Sequence, residues 1–329
     1  MTNTVTPPVA RASDEPAPEQ AARAAETPAL DSLATSRVIP LRRPGQWIAT
    51  AVVVLLLLNF GQTLFSNPHW EWSKVPEWIF HKSILKGILL TLQATALAAV
   101  VSFVGGIVVA LARLSKNTFL NVISWGYVWL FRSVPLILIL IFLYNLPNLY
   151  PSIGIGLPFG PQLTIPTISL DALTLGVIGL SLSEIAYSSE VVRSGILSVD
   201  QGQHEAAKAL GIPRRRQFTR IVLPQALRSI VPSYVNQIIG LLKASSLLIY
   251  VSLLDLFGQV QRLSSTYPTD IIPLLVVATL WYLALTTAIS IVQFYVERYY
   301  ARGAVRVIPP TPIQRVRRAF ASINAGARR

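Results

Sequence analysis

Residues 47–65 read WIATAVVVLLLLNFGQTLF, nineteen positions without one charged side chain. Five more apolar segments follow, at 84–112, 122–144, 173–187, 230–254 and 271–293. A helix needs about 20 apolar residues to cross the hydrocarbon core of a bilayer. Lipid offers no partner to an unpaired backbone N–H or C=O, so only helices and closed barrels cross it. The first three and last two segments meet that length, and the fourth is marginal. These runs lack the two-residue alternation of a barrel strand. They predict an all-α, polytopic membrane protein with about six transmembrane helices. The charged fraction agrees: 13%, against roughly 25% in soluble domains.

The distribution of charge orients the chain. With the N-terminus in the cytoplasm, 22 of the 28 Lys and Arg fall in inside tails and loops. Only Lys74, Lys82, Lys86 and Arg262 fall outside, and the 145–170 loop carries no charge at all. This bias places both termini in the cytoplasm. The net charge of +13 is therefore topological and does not point to nucleic acid. The arginines of the C-terminal tail are expected against anionic lipid headgroups. With no cysteine, the chain has no disulfide framework, thiolate metal site or thiol nucleophile. Its three histidines, His69, His81 and His204, lie too far apart in sequence for a ligand motif. Residues 1–36, polar and proline-rich with no periodicity, read as disordered.

One polar stretch interrupts the apolar pattern: DQGQHEAAKALGIPRRRQFTRIVLPQALRS, residues 200–229. Asp200 and Gln203 suit the N-cap and N3 positions of a capping box, and Gly211 with Pro213 suits a C-terminal stop. Between them a helix of about ten residues, roughly 15 Å long, is expected. A second short helix through RRRQFTRIVL would end at Pro224. A helix–Gly–helix elbow with small residues at its surface suits docking to a soluble partner; a solvated connecting loop is the alternative.

The same stretch carries a family resemblance. EAAKALGI and the following IVLPQA resemble the EAA loop of ABC importer permeases, the membrane subunits of binding-protein-dependent uptake systems. FRSVPLILIL (131–140), AYSSEVVRSGILSVDQGQHEAAKALGI (186–212), IVLPQALRSIVPSYVN (221–236) and LLKASSLL (241–248) resemble, in order, motifs of the polar amino-acid branch of that family. That branch serves histidine, glutamine, glutamate, arginine and opine-like compounds. The resemblance spans about residues 84–296. It implies a bacterial inner-membrane permease subunit, not an enzyme, that pairs with a second permease subunit, the same chain or a paralogue. Its other implied partners are a cytoplasmic ABC ATPase dimer, an extracytoplasmic substrate-binding protein, an amino-acid substrate and membrane lipid. No cofactor is implied for this chain itself: it lacks a G-x-x-x-x-G-K-[ST] loop, so the partner ATPase binds the ATP. Gly202, Glu205, Ala206, Ala207 and Gly211 are implied at the ATPase contact. The implied division is a disordered tail (1–44), an additional membrane helix (45–66), a permease domain (84–298) with its coupling loop at 198–224, and a basic tail (299–329). Two features depart from the family pattern: the additional first span, and Glu184 where an uncharged residue is expected.

Charges within apolar segments are the candidates for a substrate pathway. Arg132 beside the helix-interrupting Pro135 either lines the pathway or anchors at the interface. Lys243 lines the pathway or forms a structural ion pair, and Asn236 lines it or bridges helices. Glu184, Tyr187 and Glu190 fall on roughly one helix face. The Glu184 carboxylate needs a partner: Arg132 or Lys243, a cationic group of a substrate, or water at the interface. Trp47, Trp70, Trp72 and Trp78 read as interface-belt residues. A secondary transporter or channel is the alternative function. It lacks support from an internal repeat and leaves the docking elbow unexplained. A membrane enzyme lacks an H-E-x-x-H, G-x-S-x-G or intramembrane aspartate pair.

Overall fold

The computed structural model describes residues 44–156, 160, 162–167 and 170–300. The disorder expected for the N-terminal tail and the headgroup contact expected for the C-terminal arginines fall outside these residues, as does the Trp47 side chain. The chain divides into two units, 1–66 and 67–329. The first contributes one described helix, α1 (Pro44–Ser66). Its apolar stretch buries nothing within its unit, and Leu55 to Leu58 stay largely exposed. A helix apolar all round and long enough to span is suited to a lipid environment.

The second unit begins with two short 3₁₀ turns and α2 (Val75–Ile79), and then enters α3 (Lys82–Arg113). The next apolar segment does not form one straight helix. It divides into α4 (Thr118–Ser133) and α5 (Leu136–Tyr144), bent by 97°. Val134 before the proline is extended, φ −84° and ψ 127°, because the Pro135 ring crowds the α conformation of its predecessor. After the single turn α6 (Leu146–Leu149) come two strands, β1 (Ser152–Gly156) and β2 (Gln162–Pro166), paired antiparallel with Ile153 opposite Ile165. This hairpin is a small addition to an otherwise helical fold. β-Branched residues at alternating positions favour it, and the Thr167 hydroxyl closes its base by donating to the carbonyls of Tyr150 (2.6 Å) and Pro151 (3.0 Å).

Then follow α7 (Ala172–Leu197), α8 (Gln201–Ala209), α9 (Arg214–Gln217), a π turn at Phe218–Val222, and α10 (Leu223–Ala244). α10 tightens into a 3₁₀ stretch at Ser245–Val251. The described residues close with α11 (Leu256–Thr266) and α12 (Ile271–Tyr300). Pro224 does not end a second elbow helix as expected. It occupies the first turn of α10, where its missing N–H leaves no bond unmade, so helical backbone runs from Arg214 to Val251. Among the described residues five helices are long and apolar enough to cross a membrane, and up to six spans result if the bent α4–α5 pair counts as one.

α3 is the spine of this unit, contributing to all three apolar clusters. Near its start Ile84 and Ile88 meet Leu256, Val260 and Leu274; midway Ala94 and Ala98 meet Leu140, Leu180 and Leu248; near its end Ala110 meets Val192 and Ile230. α7 packs against most of its length. The approach is close because Gly106 has no side chain: a Cβ there would lie 2.6 Å from that of Ser188. Small residues serve the same purpose in membrane bundles generally, where van der Waals packing replaces the hydrophobic drive.

Polar ties cross the apolar interior. Asp255 is fully buried, yet its carboxylate is satisfied. Oδ2 accepts from the hydroxyls of Thr91 (3.3 Å) and Tyr282 (3.2 Å), and Oδ1 accepts from the Gly258 N–H (2.9 Å). One side chain thus joins α3, α11 and α12. Trp78 departs from the expected interface belt. It is 8% exposed, and its indole N–H donates to Asp270 Oδ2 at 3.1 Å. Lys74 Nζ reaches Oδ1 of the same carboxylate at 2.6 Å and Glu71 at 3.0 Å. These acids, Asp270 foremost, hold the Lys74 ammonium's pKa above its ordinary value.

Gly106→Leu is expected to force α3 and α7 apart and to cost about 2 kcal/mol or more, the scale of overpacking a filled interior. Gly126, in α4, has open space where its Cβ would stand. Thermal unfolding of the detergent-solubilised chain should show a clear loss for Gly106→Leu and little change for Gly126→Leu.

Candidate functional site: a capped elbow and a cavity at a broken span

The elbow forms through both of its predicted caps, one with altered geometry. Asp200 Oδ1 accepts from the Gly202 N–H at 2.6 Å, so the N-cap closes at the second helical position rather than through Gln203. At the other end Gly211 adopts φ +65°. Its N–H donates to the Lys208 carbonyl (3.0 Å), and the Ile212 N–H donates to the Ala207 carbonyl (2.9 Å). This is a Schellman closure, which requires a left-handed residue following the cap. Among the residues implied at a partner contact, Gly202, Glu205, Ala206 and Gly211 are exposed, whereas Ala207 is 2% exposed. Ala207 therefore packs inward and supports α8 from beneath. Leu210 is 77% exposed beside Gly211, which leaves an apolar side chain on the outer surface. The Gln217 amide, buried, lies 2.9 Å from His204 Nδ1 and fastens α9 to α8. An open cavity of about 540 Å³ lies under this elbow, bordered by Glu205, Lys208, Arg214 and Phe218.

The second feature lies at the α4–α5 break. Arg132, Pro135, Glu184, Tyr187 and Gly240 surround a cavity of about 330 Å³ between α4, α5, α7 and α10. The Arg132 guanidinium stands 5.2 Å from the centre of the Tyr187 ring, a cation–π distance. Neither Arg132 nor Lys243 supplies the partner expected for Glu184. Its Oε1 is buried and without a hydrogen-bond partner among the described residues. Glu190 does not share the wall with Glu184 and Tyr187. It forms ion pairs with Arg113 and with Arg193, the latter at 2.8 Å, because α7 there faces the end of α3. Asn236 and Lys243 do not line this cavity either; they are exposed along one stripe of α10. The first turn of α5 does border it, through Leu136. The unpaired N–H groups of a helix's first turn carry partial positive charge.

Helical spans, one of them broken beside a cavity lined by Arg132 and Glu184, together with a capped elbow define a polytopic membrane protein. Residues 102–302 match the binding-protein-dependent transport system inner membrane components, and the chain belongs to that family. It is 35% identical over 270 residues to the arginine transport system permease protein ArgU of Corynebacterium glutamicum, covering 82% of this chain and 84% of that one. A 270-residue match on 329 residues begins no later than residue 60, so it includes part of α1. The nopaline transport system permease protein NocM of Agrobacterium fabrum is 31% identical over 213 residues, 63% of this chain and 83% of that one. Among solved structures, an amino acid ABC transporter crystallised with histidines superposes with a TM-score of 0.57 at 27% identity. It covers 66% of this chain and 94% of its own.

Gly211→Val places a β-branched residue at a left-handed position, a strain on the order of 1–3 kcal/mol. Hydrogen exchange is expected to show lost protection at the Gly211 and Ile212 amides with the spans unaffected, whereas Gly211→Asn, which tolerates this conformation, retains it.

Proposed function

We propose that this chain is the permease subunit of an ATP-driven amino-acid importer, forming half of the pathway and coupling it to a separate ATPase through the α8 elbow. The observation that carries the proposal is the cavity at the α4–α5 break, whose polar groups complement a zwitterion. A buried carboxylate oxygen without a partner is costly, and a substrate ammonium or cationic side chain would satisfy the one on Glu184. Arg132 and the first turn of α5 offer positive charge to the substrate carboxylate. A broken helix whose N-terminus points at an anionic substrate group is a recurrent transporter device. Asn236 and Lys243 would serve elsewhere on the pathway, on the α10 stripe that a second permease subunit would face. Two subunits, identical or paralogous, would complete the pathway, since the cavity of about 330 Å³ at the break is a pocket and not a channel through the described core.

In the proposed orientation both termini and the elbow are cytoplasmic, in keeping with the Lys and Arg bias. A cytoplasmic ABC ATPase dimer receives Glu205, Ala206, Leu210 and Gly211, with Gly202 freeing the start of α8, and binds all the ATP. An extracytoplasmic binding protein delivers the amino acid to the opposite face. No chemical step falls to this chain. The amino-acid class is supported by the printed names of the relatives, one for arginine and one for nopaline.

Two experiments on the reconstituted complex test this. Glu184→Gln removes the charge and keeps the shape. Uptake of cationic amino acids is expected to fall about tenfold or more, the scale of one charged hydrogen bond, with neutral substrates affected far less. An equal loss for every substrate at unchanged membrane abundance would assign Glu184 a structural role. Glu205→Arg is expected to lower transport and substrate-stimulated ATP hydrolysis together, while insertion and unstimulated hydrolysis persist. Normal stimulation in that variant would remove the elbow from the coupling path.

A further inference from the structure

The segment that joins the elbow to α10 carries a surface that neither the cavity nor the coupling contact uses. Arg215, Arg216, Thr219 and Arg220 surround an open concavity of about 750 Å³. All four are exposed. The ion pairs among the described residues engage Lys74, Arg113 and Arg193 as their cations, so Arg215, Arg216 and Arg220 have no acidic partner there. Like charges one turn apart repel, and three of them around a single hollow call for an anion. The backbone reinforces the cluster. Across the π turn the Leu223 N–H donates to the Phe218 carbonyl, which adds a residue to the turn that carries Thr219 and Arg220. π turns of this kind concentrate at functional positions.

The level of the cluster identifies the anion. From Arg214 to Val251 helical backbone runs unbroken for 38 residues, on the order of 57 Å at the α-helical rise. The hydrocarbon core is only about 30 Å thick, so the arginine end must emerge from it. Beyond it, Val222 and Ala226 enter the apolar cluster near the end of α3. The three arginines thus stand within about two turns of this cluster, on the end of the helix that leaves the hydrocarbon core. None of them borders the cavity under α8. A guanidinium fork matches a phosphate in two parallel hydrogen bonds.

We propose that Arg215, Arg216 and Arg220 form a binding site for the phosphate of an anionic phospholipid, holding the elbow at the membrane surface. Only the elbow's role in coupling rests on the function proposed above; the lipid site itself does not. The test uses the full chain with its ATPase in phosphatidylcholine nanodiscs with and without phosphatidylglycerol. Native mass spectrometry counts the phosphatidylglycerol retained after extraction. Wild type is expected to retain it, and R215Q/R216Q/R220Q to retain about tenfold less with the ATPase still bound. Transport by wild type should rise with phosphatidylglycerol, and that dependence should vanish in the variant. Undiminished retention by the variant overturns the proposal. So does loss of the ATPase from the variant in pure phosphatidylcholine, which would assign the patch to a protein contact. If the glutamine variant unfolds at a lower temperature, R215K/R216K/R220K preserves the charge, and retention below one-third of wild type there still supports a guanidinium-specific site; unfolding of the glutamine variant with full retention by the lysine variant overturns it. Retention is read on this chain, so a failure of the ATPase to bind wild type would count against the proposed function alone.

Discussion

The close approach of α3 and α7 is the contact on which the rest of the second unit depends. Gly106 lets the Ser188 side chain and backbone lie where a Cβ would otherwise stand. In lipid, helices gain little from hiding apolar surface, and association relies on such intimate packing. With the two helices held at this distance, α7 presents Glu184 and Tyr187 to one side and places Glu190 between Arg113 and Arg193. The same helix leads through Asp200 directly into the elbow. A change in the α3–α7 distance would therefore reach the cavity and the elbow together.

The break at Pro135 is the second constraint. A straight helix over 122–144 would have filled the space between α7 and α10 with side chains. The bend of 97° instead opens a hollow and exposes the first turn of α5 to it. Unpaired backbone at membrane depth is tolerated where it lines a cavity, and here those N–H groups lie near the Arg132 guanidinium. Glu184 supplies the opposite charge across the hollow. The result is a hollow whose wall carries both a guanidinium and a carboxylate.

At the elbow, rigidity comes from backbone closure more than from burial. The Asp200 cap, the Schellman closure at Gly211 and the Gln217–His204 contact hold α8 although most of its residues are exposed. Such a helix can transmit a displacement without unfolding. The uninterrupted helix from Arg214 onward joins it to the interior, since Pro224 falls in a first turn where it costs no hydrogen bond.

Some of this was legible in the residues because it depends on local rules. The length and apolarity of the segments set the membrane helices, Asp200 and Gly211 set the ends of α8, and Pro135 marked the break; each follows from backbone chemistry within a few positions. The order of the motifs likewise carried the family. The hairpin at 152–166, the inward turn of Ala207, the burial of Trp78 and the removal of Glu190 from the cavity wall were not legible, because each depends on which element lies opposite. Glu184 shows the division most clearly. Its sequence position placed a carboxylate in an apolar helix and demanded a partner, by the cost of burying charge. Only the packing of α4, α5, α7 and α10 decided that neither Arg132 nor Lys243 within the chain would provide it, leaving Oε1 unpaired at the edge of a cavity.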